Sequence, residues 1–277
     1  MTDIRKVTIL SDMDGTLVSS DGTVSEKNKE AIRRFISAGG YFGIATGRGH
    51  INVLNYTQGV EINAPSVLYN GAMLYDFHAG KSLRMESLPK EELTDLIKLV
   101  QKRYQNIMIH IYTPDTCYIV SQEKDADEKI LSDHLPAVFA ALETVVNEPW
   151  IKILLAGRNE DLKAIEKELD QIGDQHMRWV YSADIYLEIL PEGVSKAAMI
   201  SKMKEIHGGD HTVVALGDFY NDLEMLREAD FGIAMGNAPD EVKAVADMVT
   251  LTNDEGGVSE VIESLLSGRL DIVKKRK

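Results

Sequence analysis

The chain has 277 residues, 44% of them hydrophobic, and a formal net charge of −14. That length accommodates one large domain or two ordinary ones, with enough apolar residues for a sizeable core. The acidic balance excludes a general nucleic-acid binder, which needs a basic face, and the single cysteine, Cys117, excludes an intrachain disulfide.

The first part of the chain alternates strand and helix patterns. "KVTIL" is a short apolar run rich in branched residues, the mark of a buried parallel strand. "SEKNKEAIRRFISAGG" follows, with Ser25 placed to cap a helix. Its apolar face is Ala31, Ile32, Phe35 and Ile36, and Gly39 and Gly40 stop it. "YFGIAT" and "SVLY" read as further strands. Helical connections between short apolar strands predict a parallel, doubly wound, Rossmann-like α/β sheet.

The middle of the chain differs. "AMLYDFHAGKSLRMESL" alternates and turns at Ala79-Gly80, as a hairpin does. "PKEELTDLIKLVQKRY" is an amphipathic helix with Leu93, Leu96, Ile97 and Val100 inward. Strands are expected at "IMIHIY" and "TCYIV", then a charged helical stretch, the strand "WIKILLAG", the helix "EDLKAIEKELDQI", and the strands "RWVYS" and "IYLEIL". This is the pattern of an α+β insert, placed at residues 83 to 185. Residues 1 to 82 and 186 to 277 then form one discontinuous domain.

The last part resumes the first rhythm. "TVVALGD" and "FGIAM" are strands, "NDLEMLREAD" is a helix, Pro239 opens the helix "PDEVKAVAD", and "GVSEVIESLL" closes the fold. The basic tail Lys274 to Lys277 reads as a solvated end. No apolar run approaches the roughly 20 residues of a membrane span, and the amino-terminal run is too short for a secretory signal. The expectation is a cytoplasmic protein with no membrane, nucleic-acid or obligate protein partner.

Asp12 and Asp14 stand two apart, directly after the first strand. At about 4 Å and an effective dielectric near 20, two such carboxylates repel by roughly 4 kcal/mol. Each candidate has an ordinary reading when taken alone. Asp14-Gly15 is a turn pair, Thr46 can cap a helix, Lys196 is a surface lysine in the first turn of a helix, and Asp218 and Asp222 are a turn and a cap. Gly47-Arg48-Gly49 lacks the third glycine of a dinucleotide fingerprint. Arg48 steadies the neighbouring loop, meets the insert or makes a surface salt bridge. Together the residues say more. In a parallel sheet, ligands bind beyond the carboxyl ends of strands, where Asp12, Thr46 and Asp218 each fall. Four carboxylates meeting one lysine call for a cation, and all-oxygen ligands favour Mg²⁺ over zinc. The scattered histidines form no metal motif.

"DMDGT", "ATGR", "GVSK" and "GDFYND", in this order, resemble the four motifs of the haloacid dehalogenase superfamily, and most closely its Cof-type phosphatase branch. That branch also shows segments like "NGA" at Asn70 to Ala72, "AMGNA" at 234 to 238 and "NDEGGV" at 253 to 258. Ala197 stands where relatives often carry glycine. The resemblance implies a core with an inserted α/β cap of the second type that selects the substrate. It implies a phosphatase acting on small phosphorylated metabolites, whether sugar phosphates, flavin mononucleotide or pyridoxal phosphate. Asp12 would be the nucleophile, passing through an aspartyl-phosphate, and Asp14 the acid and base. Thr46, Gly47, Lys196 and Asn221 would hold the phosphate. Asp12, the Asp14 backbone carbonyl and Asp218 would ligate Mg²⁺, and Asp222 would do so directly or through water. Alternatives on the same residues are a phosphosugar mutase and a non-catalytic module phosphorylated on, or binding through, Asp12.

Overall fold

The computed structural model describes residues 2–121, 137–172, 176–206 and 209–272. The chain divides into two compact units, one of residues 1–84 with 195–277 and one of residues 85–194.

The first unit is built on a five-stranded sheet. Val7–Ser11 (β1) is buried along its whole length, and Tyr41–Ile44 (β2) pairs with it in parallel. Between them runs helix Glu26–Ser37, whose start is fixed where expected: the Ser25 side chain accepts from the Asn28 amide at 3.2 Å. Ala31, Ile32 and Phe35 are its buried stripe. "SVLY" departs from the expected parallel sheet. Ser66–Leu68 (β3) keeps the parallel sense only at its bridge to that sheet, Ala45 to Val67, where the Thr46 amide donates to the Val67 carbonyl, and pairs antiparallel with Met73–Asp76 (β4). With Lys81–Met85 (β5) these strands form a separate three-stranded sheet.

The second unit carries Met108–Tyr112 (β6), Cys117–Ile119 (β7), Ala137–Phe139 (β8), Lys152–Ala156 (β9), Met177–Ala183 (β10) and Tyr186–Pro191 (β11). They make one six-stranded sheet in the order β10-β11-β9-β6-β7-β8, antiparallel except for β7 with β8. Helices Lys90–Arg103 and Asn159–Ile172 cover one face with Leu93, Leu96, Ile97, Leu162, Ile165 and Leu169, around the fully buried Trp150. The expected charged helix falls mostly at residues 122–136, outside the described residues. The expected boundary at 185/186 needs correction. It separates β11 from the hairpin it forms with β10 and from its pairing to β9, so the unit runs on to Val194.

Back in the first unit, Thr212–Gly217 (β12), Phe231–Ala234 (β13) and Met248–Val249 (β14) complete the parallel sheet in the order β14-β13-β12-β1-β2. Leu10, Val213 and Ala215 pack on one face against Met199, Met203 and Leu226. Their alternates Ile9, Val214 and Leu216 are equally buried and point to the other face. "PDEVKAVAD" yields a single turn, Asp240–Lys243. Lys196 precedes its helix rather than sitting in the first turn, because the Ser195 hydroxyl accepts from the Ala198 amide and starts the helix at Ala198.

Strand order places the site. The chain leaves β1 toward β2 on one side and returns at β12 to extend the sheet on the other. The crevice of such a sheet lies where the winding reverses, between β1 and β12. Ser11 pairs with Leu216, so Asp12 and Asp218 leave adjacent strands almost side by side.

Candidate active site

Three carboxylates converge at this crevice. Asp12, Asp218 and Asp222 each offer an oxygen, and these oxygens lie within 4.8 Å of one another. The Asp12 amide donates to the Leu216 carbonyl at 2.9 Å, which locks the first carboxylate to the end of β12. Lys196 stands between two of them: its Nζ is 2.7 Å from Asp12 Oδ1 and 2.7 Å from Asp222 Oδ1. The lysine is 1% exposed, so both contacts are made away from water. The other Asp222 oxygen accepts from the backbone amides of Asp218 and Phe219 at 3.0 and 3.1 Å. Asp218 accepts from the Thr16 hydroxyl at 3.0 Å.

One lysine does not balance three carboxylates. Burial, and then the Asp222 charge, push the Asp12 carboxyl well above the usual range despite Lys196. Burial and Asp222 likewise push Asp218 up to about 6. Burial alone would lower the Lys196 ammonium, but Asp12 and Asp222 outweigh it and raise it. A buried all-oxygen group with excess negative charge fits a hard divalent cation, so these residues could hold a metal ion.

The remaining expected residues are placed as follows. Thr46 is buried and follows β2; its amide donates to Val67, and the preceding Ala45 amide donates to Ser11, which seats the loop beside Asp12. Gly47 lies against the Asn70 side chain. Asn221 Nδ2 reaches Asn70 Oδ1 at 3.4 Å. The Asp14 carboxylate is not in the cluster: it lies on Arg48, with contacts of 2.7 and 2.9 Å.

The segments "NGA", "AMGNA" and "NDEGGV" carried no role in the sequence reading, and each supplies a support. Asn70, in the left-handed region at φ 54°, donates its amide to the Thr46 carbonyl at 3.0 Å. Asn237 Nδ2 bridges the Gly15 carbonyl at 2.9 Å and Asp218 Oδ2 at 3.3 Å. Asn253 holds Asn237 through its amide and reaches the Val18 carbonyl with its side chain. An asparagine that returns in each segment was the available signal.

Gly15 is constrained from two sides. Its φ of +75° favours glycine, and an added Cβ would sit 2.3 Å from Asp218 Oδ2, an atom already held by Asn237. Gly15→Ala is therefore expected to displace the Asp218 carboxylate. The stability loss should exceed about 1 kcal/mol, because alanine meets this φ only with strain. Melting curves with and without a divalent cation check this; a melting temperature and a cation response both equal to those of the unsubstituted protein would refute the tight contact.

A parallel α/β core with an acidic cluster and one buried lysine at its switch point is a ligand crevice fit for a hard cation. The chain belongs to the haloacid dehalogenase-like hydrolase family, whose model matches residues 9–262. It is 29% identical to the 5-amino-6-(5-phospho-D-ribitylamino)uracil phosphatase of Bacillus subtilis over 265 residues, covering 94% of this chain and 97% of that protein. It is also 29% identical to the pyridoxal phosphate phosphatase of Escherichia coli, covering 93% of this chain and 98% of the relative. A haloacid dehalogenase-like hydrolase from Bacteroides thetaiotaomicron superposes with a TM-score of 0.84 at 29% identity, covering 93% of this chain and 98% of that one. Among the described residues, no helix is long and apolar enough to cross a membrane.

Proposed function

We propose that the protein is a cytoplasmic, Mg²⁺-dependent phosphatase that hydrolyses small phosphorylated metabolites through an aspartyl-phosphate on Asp12. The observation that carries this reading is Lys196 held at 2.7 Å from both Asp12 and Asp222, with Asp218 completing the acidic group. The names of the relatives, phosphatases of a ribitylaminouracil phosphate and of pyridoxal phosphate, support the same class.

In this reading the Asp12 carboxylate attacks phosphorus. Lys196 works against the burial and the Asp222 charge that favour protonation of Asp12 and holds its carboxyl in place, and then meets the phosphoryl oxygens together with the Thr46 hydroxyl and the Gly47 amide. Asn221 steadies the same oxygens from the motif that carries Asp218. Asp14 gives a proton to the leaving oxygen, then takes one from the water that opens the intermediate. Asp12, the Asp14 backbone carbonyl, Asp218 and Asp222 would hold the cation, which neutralises charge on the carboxylates and phosphoryl oxygens when bound. The unit of residues 85–194 contains none of these side chains, and we assign it to substrate selection.

The experiment is phosphate release from a panel of sugar phosphates, flavin mononucleotide and pyridoxal phosphate, with Mg²⁺ and with EDTA. EDTA should abolish release and Mg²⁺ restore it, while Ca²⁺, with its looser shell, restores it poorly. Full release by metal-free protein in EDTA would sink the reading. A melting experiment gives an independent check. Asp218 is pushed up to about 6, so the folded metal-free protein holds this proton more tightly than the unfolded chain does. Its contribution to stability is present at low pH and is lost as pH rises through about 6. Mg²⁺ binds the deprotonated form. The melting-temperature gain from Mg²⁺ should therefore be small at pH 5 and large at pH 7; an equal gain at both would contradict a carboxylate site.

A further inference from the structure

The Asp14 carboxylate stands apart from the three that converge, and a specific group holds it there. We infer that Arg48 is the positioning residue for Asp14, its guanidinium fixing the plane of that carboxyl for proton transfer; the inference rests on the phosphatase reading above. Arg48 Nε donates to Asp14 Oδ2 at 2.7 Å and Nη2 donates to Oδ1 at 2.9 Å. Two parallel bonds engage both oxygens at once, a geometry that arginine can make and lysine cannot.

The arginine is the anchored partner. Its side chain is 16% exposed, against 53% for Asp14. Its guanidinium carbon lies 4.4 Å from the centre of the Tyr56 ring, a cation–π contact, at the end of helix His50–Tyr56. Its backbone amide donates to the Thr46 hydroxyl at 3.2 Å. One residue thus links the loop that binds phosphate to the loop that carries the acid. An aspartate this exposed would otherwise exchange among staggered rotamers, and Lys196 and the cation would both attract it. An ion pair with one partner in water adds little to folding, so the fork geometry is explained by what orientation does for the chemistry.

The two steps require the same plane. In the first, an Asp12 oxygen bonds to phosphorus as the ester P–O bond breaks; the bond pair stays on the ester oxygen, which takes the proton from Asp14. In the second, Asp14 takes a proton from water as the water oxygen bonds to phosphorus. The Asp12–phosphorus bond breaks, and its pair returns to the Asp12 carboxylate. One Asp14 oxygen exchanges the proton in each step on the lone pair that does not face Arg48, while the fork holds the carboxyl plane. A displacement near 1 Å costs on the order of 10²-fold in rate.

Arg48→Met and Arg48→Lys test this, with acetyl phosphate and an alkyl phosphate as donors and orthovanadate as a probe of the phosphate subsite. Arg48→Met should lose about 10²-fold in kcat on the alkyl phosphate, with KM and vanadate inhibition changed less than about threefold. It should still be phosphorylated by acetyl phosphate, which needs little protonation of its leaving group, and should accumulate the Asp12 adduct seen by mass spectrometry after acid quench. Arg48→Lys restores charge without the fork and should recover only part of the loss. Near-normal turnover of Arg48→Met overturns the inference. So does a parallel loss of adduct formation and vanadate binding, which marks a merely structural role. If the wild-type protein neither turns over any donor nor binds vanadate, the phosphatase reading itself has failed, and the inference falls with it.

Discussion

Asp12→Asn is expected to remove essentially all turnover, by more than about 10⁴-fold, because no other group can replace the attacking oxygen. Asp12 is the carboxylate fixed to the end of β12 and paired with Lys196, and the amide nitrogen or oxygen of asparagine is a poor nucleophile in that place. Asp14→Asn should behave differently. A good leaving group departs without much protonation, so p-nitrophenyl phosphate and acetyl phosphate should still phosphorylate this variant. Hydrolysis of the adduct should then slow by roughly 10²- to 10⁴-fold for want of a base. Intact-protein mass spectrometry after a rapid acid quench should show a phosphate on Asp12 in Asp14→Asn and none in Asp12→Asn. An adduct in Asp12→Asn, or near-normal turnover of an alkyl phosphate by Asp14→Asn, would reverse the roles.

Lys196→Met should have the second largest effect, and on stability as well as rate. Methionine keeps the stem but removes the charge that two buried carboxylates share. Breaking a buried ion pair by deleting one partner costs about 3–5 kcal/mol. For a chain of this size each kcal/mol lowers the melting temperature by roughly 2–4 °C, so the metal-free variant should melt about 6–20 °C below wild type. On the proposed function Mg²⁺ would supply positive charge to the same carboxylates, and it should close much of that gap. Turnover should not return with stability, because the phosphoryl oxygens still lack their ammonium. Differential scanning fluorimetry in EDTA and in Mg²⁺ is the measurement, and an equal deficit in both solutions would show that Lys196 and the cation do not share their partners.

Several elements were legible in the chain itself because their cause is local. The run at β1 has to be buried whatever surrounds it, and Ser25 followed by the stripe Ala31, Ile32 and Phe35 encodes a capped helix within a few residues. The spacing of Asp12 and Asp14 at a strand end marks the site for the same reason: strand ends in a parallel sheet are where ligands bind. "SVLY" illustrates the limit. Its composition is that of any buried strand, and only the competing partner, β4, decides that it pairs antiparallel. The insert boundary was missed at 185/186 for a related reason, since β11 is assigned by its pairing with β9 and β10, not by its composition.

By itself, then, the sequence determined the element types, the two-part plan, and the residue types available for chemistry, all of which rest on periodicity and short spacing. The tertiary structure decided which of these groups act on one another. Lys196 meets Asp12 across 184 residues, Asn237 meets Gly15 across 222, and Arg48 takes Asp14 out of the acidic group across 34. No local pattern specifies such distances. They are set by the strand order that brings β1 beside β12, and by the few tenths of an ångström that separate a charge-assisted hydrogen bond from two charges that merely lie near each other.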